Sequence, residues 1–281
     1  MAWHRGVRAA ACVGLLGGCV RSLPESEVGE HAVALFGLFE DGPALAERVA
    51  QLDEALDDVE LDGRRRSRLF DLPRLSEREL EGLTVPEGID LADTMRAAMV
   101  AVSRHGLSEN LRAQVEENQT CINAEAVACH ERVSADGADP ADFLDGTVDV
   151  YRTVNTIRTE TFVADFWVQA PVDFRRIELA DGRLAVVGRT WLEEPFDSDN
   201  GRRTWTQRFG LDVYIEDPDG ADRTRRVYAT WAGPALGGLS RQFGVPALRR
   251  GLSEGFERPD DWLDDPTCDV ELTDCLADAP F

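Results

Sequence analysis

The stretch Trp205-Thr206-Gln207-Arg208-Phe209-Gly210-Leu211-Asp212-Val213-Tyr214-Ile215-Glu216 decides the fold. Trp205, Gln207, Phe209, Leu211, Val213 and Ile215 share one side of an extended chain, against Arg208, Asp212 and Glu216 on the other. That period of two is the mark of a strand with one buried face. Asp217-Pro218-Asp219-Gly220 turns the chain, and Val227, Ala229 and Trp231 return along it. Upstream, Phe162, Ala164, Phe166 and Val168 alternate with Val163, Asp165, Trp167 and Gln169. Ile177 and Leu179 then lead into Asp181-Gly182, a strong hairpin signal, with Leu184 to Trp191 coming back. Consecutive strands joined by short turns make an antiparallel meander, and no alternation with crossover helices is seen. One face is apolar and needs a cover. The expected cover is the next segment, where Leu236, Leu239, Phe243, Leu248, Leu252 and Phe256 recur at helical spacing, with a break or kink at Pro246.

Ahead of the meander the periodicity is helical. Leu45, Val49, Leu52, Leu56 and Val59 form one stripe after Pro43. Asp90 is a candidate N-cap for a helix carrying Leu91, Met95, Ala98 and Val102 and ended by Gly106. Ser108 is placed to cap a longer helix through Leu111, Val115 and Ile122 towards Val133. Ala135 to Pro140 is the best boundary. The expected fold is α+β: a helical region over 30–135, an antiparallel sheet with a covering C-terminal helix over 141–259, and a tail over 260–281. From Asp260 to Asp278 the tail is acidic without a base, and is expected to be irregular.

The first residues carry Arg5 and Arg8 and no acid, and Ala9 to Gly18 is apolar or small throughout. This is the pattern of a cleaved export signal. Ten residues of helix span only about 15 Å, half a bilayer core. Leu16-Gly17-Gly18-Cys19 resembles the lipobox of bacterial lipoproteins. The resemblance implies that residues 1–18 are removed, that Cys19 receives a diacylglyceryl group, and that 19–29 is a tether between membrane and fold. Val20, where Asp would favour inner-membrane retention, points to the outer membrane. The resemblance identifies a processing route and not a function.

Without the signal, 28 basic residues stand against 53 acidic ones, a formal charge of −25. A surface of that sign repels nucleic acid and anionic headgroups, which excludes nucleic-acid partners and leaves membrane attachment to the acyl chains at Cys19. All the basic residues are Arg, so no Lys can serve as a base, Schiff-base former or phosphate-loop residue. Gly63-Arg64-Arg65-Arg66-Ser67-Arg68 is a basic cluster, read as a solvated loop paired to nearby acids.

With Cys12 removed and Cys19 lipidated, Cys121, Cys129, Cys268 and Cys275 remain, an even set that implies disulfides in an exported chain. Proximity in sequence favours Cys121–Cys129 and Cys268–Cys275, two small loops worth about 2–3 kcal/mol each. The rival is a four-thiolate zinc site, which lacks its usual two-residue gaps.

The catalytic motifs fail on context. Gly251-Leu252-Ser253-Glu254-Gly255 matches a nucleophile elbow, but its flanks read helical and no His follows His130. Asp197-Ser198-Asp199-Asn200-Gly201 is similar to a calcium loop but has Arg208 where a bidentate Glu is needed. Asp260, Asp261, Asp264 and Asp265 read as a solvated acidic run. No catalytic residue, cofactor or metal is expected. Trp167, Trp191, Trp205 and Trp231 are the candidates for an apolar pocket, with core packing as the alternative. Antiparallel strands followed by a covering helix resemble the helix-grip (START-like) lipid-binding folds, although no motif carries that resemblance and the helical N-terminal third is not part of the pattern. Two readings follow: a non-enzymatic envelope lipoprotein that binds a protein partner or the cell wall, or a binding protein for a lipid or other apolar ligand held between sheet and helix.

Overall fold

A computed structural model describes residues 26–61, 67–92, 94–123, 127–161, 164–197, 204–235 and 241–281. The expected signal peptide, Cys19, Arg64 to Arg66 and Asp199 to Gly201 lie outside these residues. In chain order the elements are α1 (Glu27–Gly37), α2 (Gly42–Asp57), β1 (Ser67–Phe70), β2 (Met95–Ser103), α3 (Leu107–Val115), β3 (Val127–Ser134) and α4 (Pro140–Asp145). They continue with β4 (Val150–Thr161), β5 (Ala164–Glu178), β6 (Leu184–Trp191), β7 (Phe196–Asp197), β8 (Thr204–Glu216), β9 (Thr224–Ala235), α5 (Arg241–Asp264) and α6 (Leu272–Cys275). The strands form one antiparallel sheet in the order β1-β2-β9-β8-β6-β5-β4-β3, with β7 paired to β8. The fold is α+β, as the meander foretells. Its hairpin at Asp181-Gly182 is in place, with Gly182 at φ +84°, a conformation costly for any residue bearing a Cβ.

Three expectations are corrected. The 30–135 region is not all helical: helix begins earlier, at Glu27, and the region supplies β1, β2 and β3. The sheet therefore runs through the proposed boundary at 135–140. Met95 to Ser103 is a strand buried on both faces, with Ala98 and Val100 packed to one side and Ala97, Met99 and Ala101 to the other. A continuous apolar run of that kind has no period by which a strand could be told from a helix. Helix α3 starts at Leu107 and stops at Val115, and the stripe read on towards Val133 becomes β3. Finally, the tail is partly ordered. Helix α5 runs on to Asp264, unbroken through Pro246 and Pro259, and α6 follows. Packing of Leu252, Phe256 and Leu263 holds α5 despite the hydrogen bonds its prolines forgo.

The C-terminal helix covers the sheet as expected, but the apolar face of β8 and β9 is covered by α1 and α2. Phe209, Leu211, Val213 and Ile215 pack with Val227, Ala229 and Trp231 against α1 and α2, whose buried residues include Phe36, Leu45, Val49 and Leu52. Ser26 caps α1 by accepting from Val28 N–H (3.2 Å), and Asp41 caps α2 by accepting from Ala44 N–H (3.2 Å). Phe36 meets Phe209 and Trp231 edge-on, at centroid distances of 6.0 and 5.8 Å. Ion pairs fix the hairpin's edges: Asp53 with Arg183 (2.5 Å) and Arg225 (3.1 Å), and Glu40 with Arg189 (2.5 Å) and Arg175 (3.3 Å). Helix α5 instead crosses the opposite face, over Leu69, Met99 and Ala101.

The disulfides are Cys121–Cys268 and Cys129–Cys275, not the two local pairs. Cys129 belongs to a strand rather than a helix, and α6 packs on that strand, bringing Cys275 alongside it. Each bridge spans about 150 residues, at separations of 147 and 146, so both tie the C-terminal segment back to the α3–β3 region. Loops of that length constrain the unfolded chain far more than local ones, by about 4–5 kcal/mol for one bridge in the chain-entropy treatment.

Peptide mapping without reduction is expected to return Cys121–Cys268 and Cys129–Cys275 linked peptides and no Cys121–Cys129 peptide. Phe36→Ala is expected to lower unfolding free energy by about 3–5 kcal/mol in denaturant titration, because it empties the centre of the α1–sheet contact.

Candidate functional site: the trough between sheet and α5

The sheet is strongly curled. Arg132 on β3 lies within electrostatic reach of Asp212 and Tyr214 on β8, four strands away in the sheet order. The concave side so formed is the one away from α1 and α2. Helices α3 and α4 close one end, where Leu107, Leu111 and Phe143 pack on Tyr151, Phe174 and Tyr214. Along the β1-β2-β9 flank, Leu252 and Phe256 of α5 do the same. Between these lies a trough. Asp212 points into it and keeps 24 % of its side chain accessible, and Thr190, Arg208 and Tyr228 beside it are only half-buried.

The floor of the trough is polar. Arg226 Nη2 donates to Tyr214 Oη (3.1 Å) and stands 3.6 Å from Asp212 Oδ1, with its guanidinium 4.6 Å from the Tyr214 ring and 4.8 Å from the Phe256 ring. Arg132 donates from Nε to Asn155 Oδ1 (2.9 Å) and from Nη1 to the Gln114 carbonyl, and lies over Phe174. Several buried polar atoms have no hydrogen-bond partner within the protein: Nε and Nη1 of Arg226, Asp212 Oδ1, and both ring nitrogens of His130. Asn155 lies beside the His130 ring, but without a bond of ordinary geometry. Such groups are rare in folded proteins because each forfeits its hydration without compensation.

Burial sets the charge states. It lowers the His130 pKa to about 3, helped by the positive charge of Arg132, so the ring is neutral at neutral pH. Burial pulls Arg132 down to about 10, which leaves it charged. It raises the Asp212 carboxyl, opposed by Arg226. For Arg226 itself burial opposes the charge, but Tyr214, Asp212 and Asp260 outweigh it and hold the pKa above the ordinary value.

One end of the trough is apolar. His130 pairs in register with Ile157, and Ile157 with Val168. Ile157 and Val168 cluster with Ala170, Leu192 and Phe196. Leu192 N–H bonds the Arg208 carbonyl, four residues along β8 from Asp212, which separates the apolar end from Asp212 by roughly 13 Å.

Three of the four tryptophans, Trp167, Trp191 and Trp231, do not line this trough. Trp191 and Trp231 are buried in the core beneath α1 and α2, and Trp231 Nε1 donates to the Pro73 carbonyl (2.7 Å). Trp167 pairs with Arg158, is half-buried, and by strand alternation lies on the convex side, with the Arg158 guanidinium 5.8 Å from its ring. The Trp205 side chain is outside the described residues. Of the dismissed motifs, Gly251 to Gly255 lies within α5. Asp261 and Asp264 form ion pairs with Arg104, while Asp260 accepts from Ser103 Oγ (2.6 Å) and Arg104 N–H (3.2 Å). Among the described residues no group of three or more ligating side chains is placed to hold a metal ion. No helix among them is long and apolar enough to cross a membrane. A cavity of about 500 Å³ opens beside the C-terminal segment between Arg112, Glu116, Asn118, Trp262, Val270 and Glu271.

The floor residues His130, Arg132, Asn155, Asp212, Tyr214 and Arg226 escape sequence reading because polar positions on a strand normally face water. The available signal is Tyr214, a large ring on the nominally polar side of the quoted strand.

No protein family matches the chain, and no curated protein does. Solved structures similar to it include a STAR-related lipid transfer protein from Xanthomonas axonopodis, at 11% identity and TM-score 0.44, covering 72% of this chain and 96% of that one. They also include the lipid transfer and protein localization domain of human StarD13, at 9% identity and TM-score 0.41, covering 76% and 94%. The Zhui aromatase/cyclase from Streptomyces sp. R1128 gives 8% identity and TM-score 0.40, covering 61% and 94%.

The depressed His130 pKa has a measurable consequence. Because the folded value lies below the unfolded value of about 6.5, this group stabilises the fold above pH 6.5 and the contribution is lost as pH falls towards 3. Urea unfolding followed between about pH 4 and 6 is expected to show stability rising with pH, with His130 supplying about 1.4 kcal/mol per pH unit. His130→Gln is expected to flatten the slope by that amount.

Proposed function

We propose that this chain is a lipoprotein of the bacterial cell envelope, anchored through acylated Cys19, that holds an amphipathic small molecule in the trough between its sheet and α5. One observation carries the binding half of the reading: inward-facing Asp212, Arg208 and Thr190 stay accessible under the covering helices while Arg226, His130 and Asp212 keep unpartnered polar atoms there. A core evolved only for stability fills such a space with apolar side chains and satisfies its polar atoms. The anchoring half rests on Leu16-Gly17-Gly18-Cys19 and its preceding apolar run. Two disulfides agree with export, since such bonds persist outside the reducing cytoplasm. Two or three acyl chains on Cys19 suffice for stable attachment without a spanning helix.

Both halves are open to direct tests. Cys19→Ser is expected to move the protein out of the detergent phase on phase partition; retention there equal to wild type would overturn the anchor. Native mass spectrometry of protein purified from its envelope is expected to show a bound small molecule at about one per chain, released by organic solvent. A ligand-free mass from every preparation, with no small amphiphile binding on titration, would overturn the trough as a binding site.

A further inference from the structure

We propose that the cavity of about 500 Å³ beside the C-terminal segment is a binding site in its own right, for a neutral saccharide. It lies where the last turns of α3 and α5 meet the segment that follows α5, and it shares no residue with the trough. Its size falls within the range of about 300–1,000 Å³ usual for small-molecule sites. Trp262 forms part of its wall. That indole is half-buried and packs on Ala113, Ile122 and Leu263, so a small apolar core backs the ring where it borders the cavity. The surrounding backbone is tied as well. Asn118 Nδ2 donates to the Val270 carbonyl (2.7 Å), joining the chain after α3 to the segment after α5, and Cys268 is bonded to Cys121. A cavity with walls tied in this way has little ordering left to do when a ligand enters.

The polar side chains select the ligand. Arg112 and Glu271 are exposed and Glu116 is half-buried, yet among the described residues none of the three side chains has a hydrogen-bond or ion-pair partner. Arg112 supplies only donors, and the two glutamate carboxylates supply only acceptors. An anion would meet both carboxylates and, on approach, the field of a chain whose formal charge is −23. A cation would meet the Arg112 guanidinium. A metal ion would find two carboxylates and, among the described residues, no group of three or more ligating side chains placed to hold it. An aliphatic ligand would strip water from all three charged groups and give nothing in return. A hydroxyl both donates and accepts, so a ligand bearing several of them answers donor and acceptor walls together without carrying a charge. Trp262 adds a demand for flat apolar surface, which the C–H face of a pyranose ring supplies and a linear polyol does not.

The test uses the full chain carrying Cys19→Ser, which needs no glycosidic detergent, and calorimetric titration with four trisaccharides. Cellotriose and triacetylchitotriose are neutral, the galacturonic acid trimer is anionic, and the glucosamine trimer is cationic at a mildly acid pH. At least one neutral trimer is expected to bind with a Kd of about 1 mM or tighter, and about tenfold more tightly than either charged trimer. Failure of both neutral trimers to bind, or a charged trimer binding as tightly as they do, overturns the proposal. The double variant Arg112→Gln/Glu271→Gln changes two exposed side chains, and folding is checked by circular dichroism. It is expected to weaken the neutral trimer about tenfold or more, and undiminished binding by the folded variant overturns the site. A readout that leaves the cavity unaltered is the Trp262 indole N–H resonance, assigned by its absence in Trp262→Phe. It is expected to shift saturably with the calorimetric Kd, and a resonance unmoved at saturation places the saccharide elsewhere and overturns the proposal.

Discussion

Everything in this molecule depends on the contact between the α1–α2 hairpin and the convex face of the sheet. Phe36 set edge-on against Phe209 and Trp231 is its centre, surrounded by Leu45, Val49, Leu52 and the inward residues of β8 and β9. This layer holds the large apolar side chains of the meander, and the ion pairs of Asp53 and Glu40 with Arg183, Arg225 and Arg189 seal its rim. Because the convex side supplies the main core, the concave side is released from that duty. It can afford Arg132, Asp212 and Arg226 in positions where a two-layer protein would need leucines.

The concave side is organised by restraint rather than by filling. Helices α3 and α4 plug one end and α5 lies along a flank, secured through Leu252 and Phe256. Asp260 near the end of α5 is held to β2 by Ser103 and by the backbone of Arg104. The disulfides then tie the segment after α5 to Cys121 and to β3. These bridges constrain the elements that border the trough, so its dimensions are fixed by covalent bonds as well as by packing. A site for a small molecule gains from such pre-organisation, since less ordering remains to be done on binding.

The sequence makes part of this legible. The period of two in Thr204 to Glu216, the Asp181-Gly182 turn and the stripe from Leu45 to Leu56 are local signals that tertiary structure left in place. Met95 to Ser103 is not legible, because a strand buried on both faces carries no periodicity. Strand β4 is obscured by its polar makeup, since Thr153 and Asn155 are buried and hydrogen-bonded where an apolar residue would have marked the strand. The disulfide pairing is set by which strands and helices adjoin, information absent from the spacing of the cysteines. The same holds for the site. Tryptophans mark large apolar volume, and the apolar volume here is the convex core; the trough is lined by charges that read as solvent-facing until the curl of the sheet turns them inward.

The central claim, that the concave side is a binding trough with its polar floor at Arg226, is tested most directly by a crystal structure of the chain purified from its own envelope without delipidation. Elongated density between α5 and the concave face of the sheet is the expected result. A trough closed by the protein's own side chains, with Arg226 and His130 satisfied by protein groups, would contradict it.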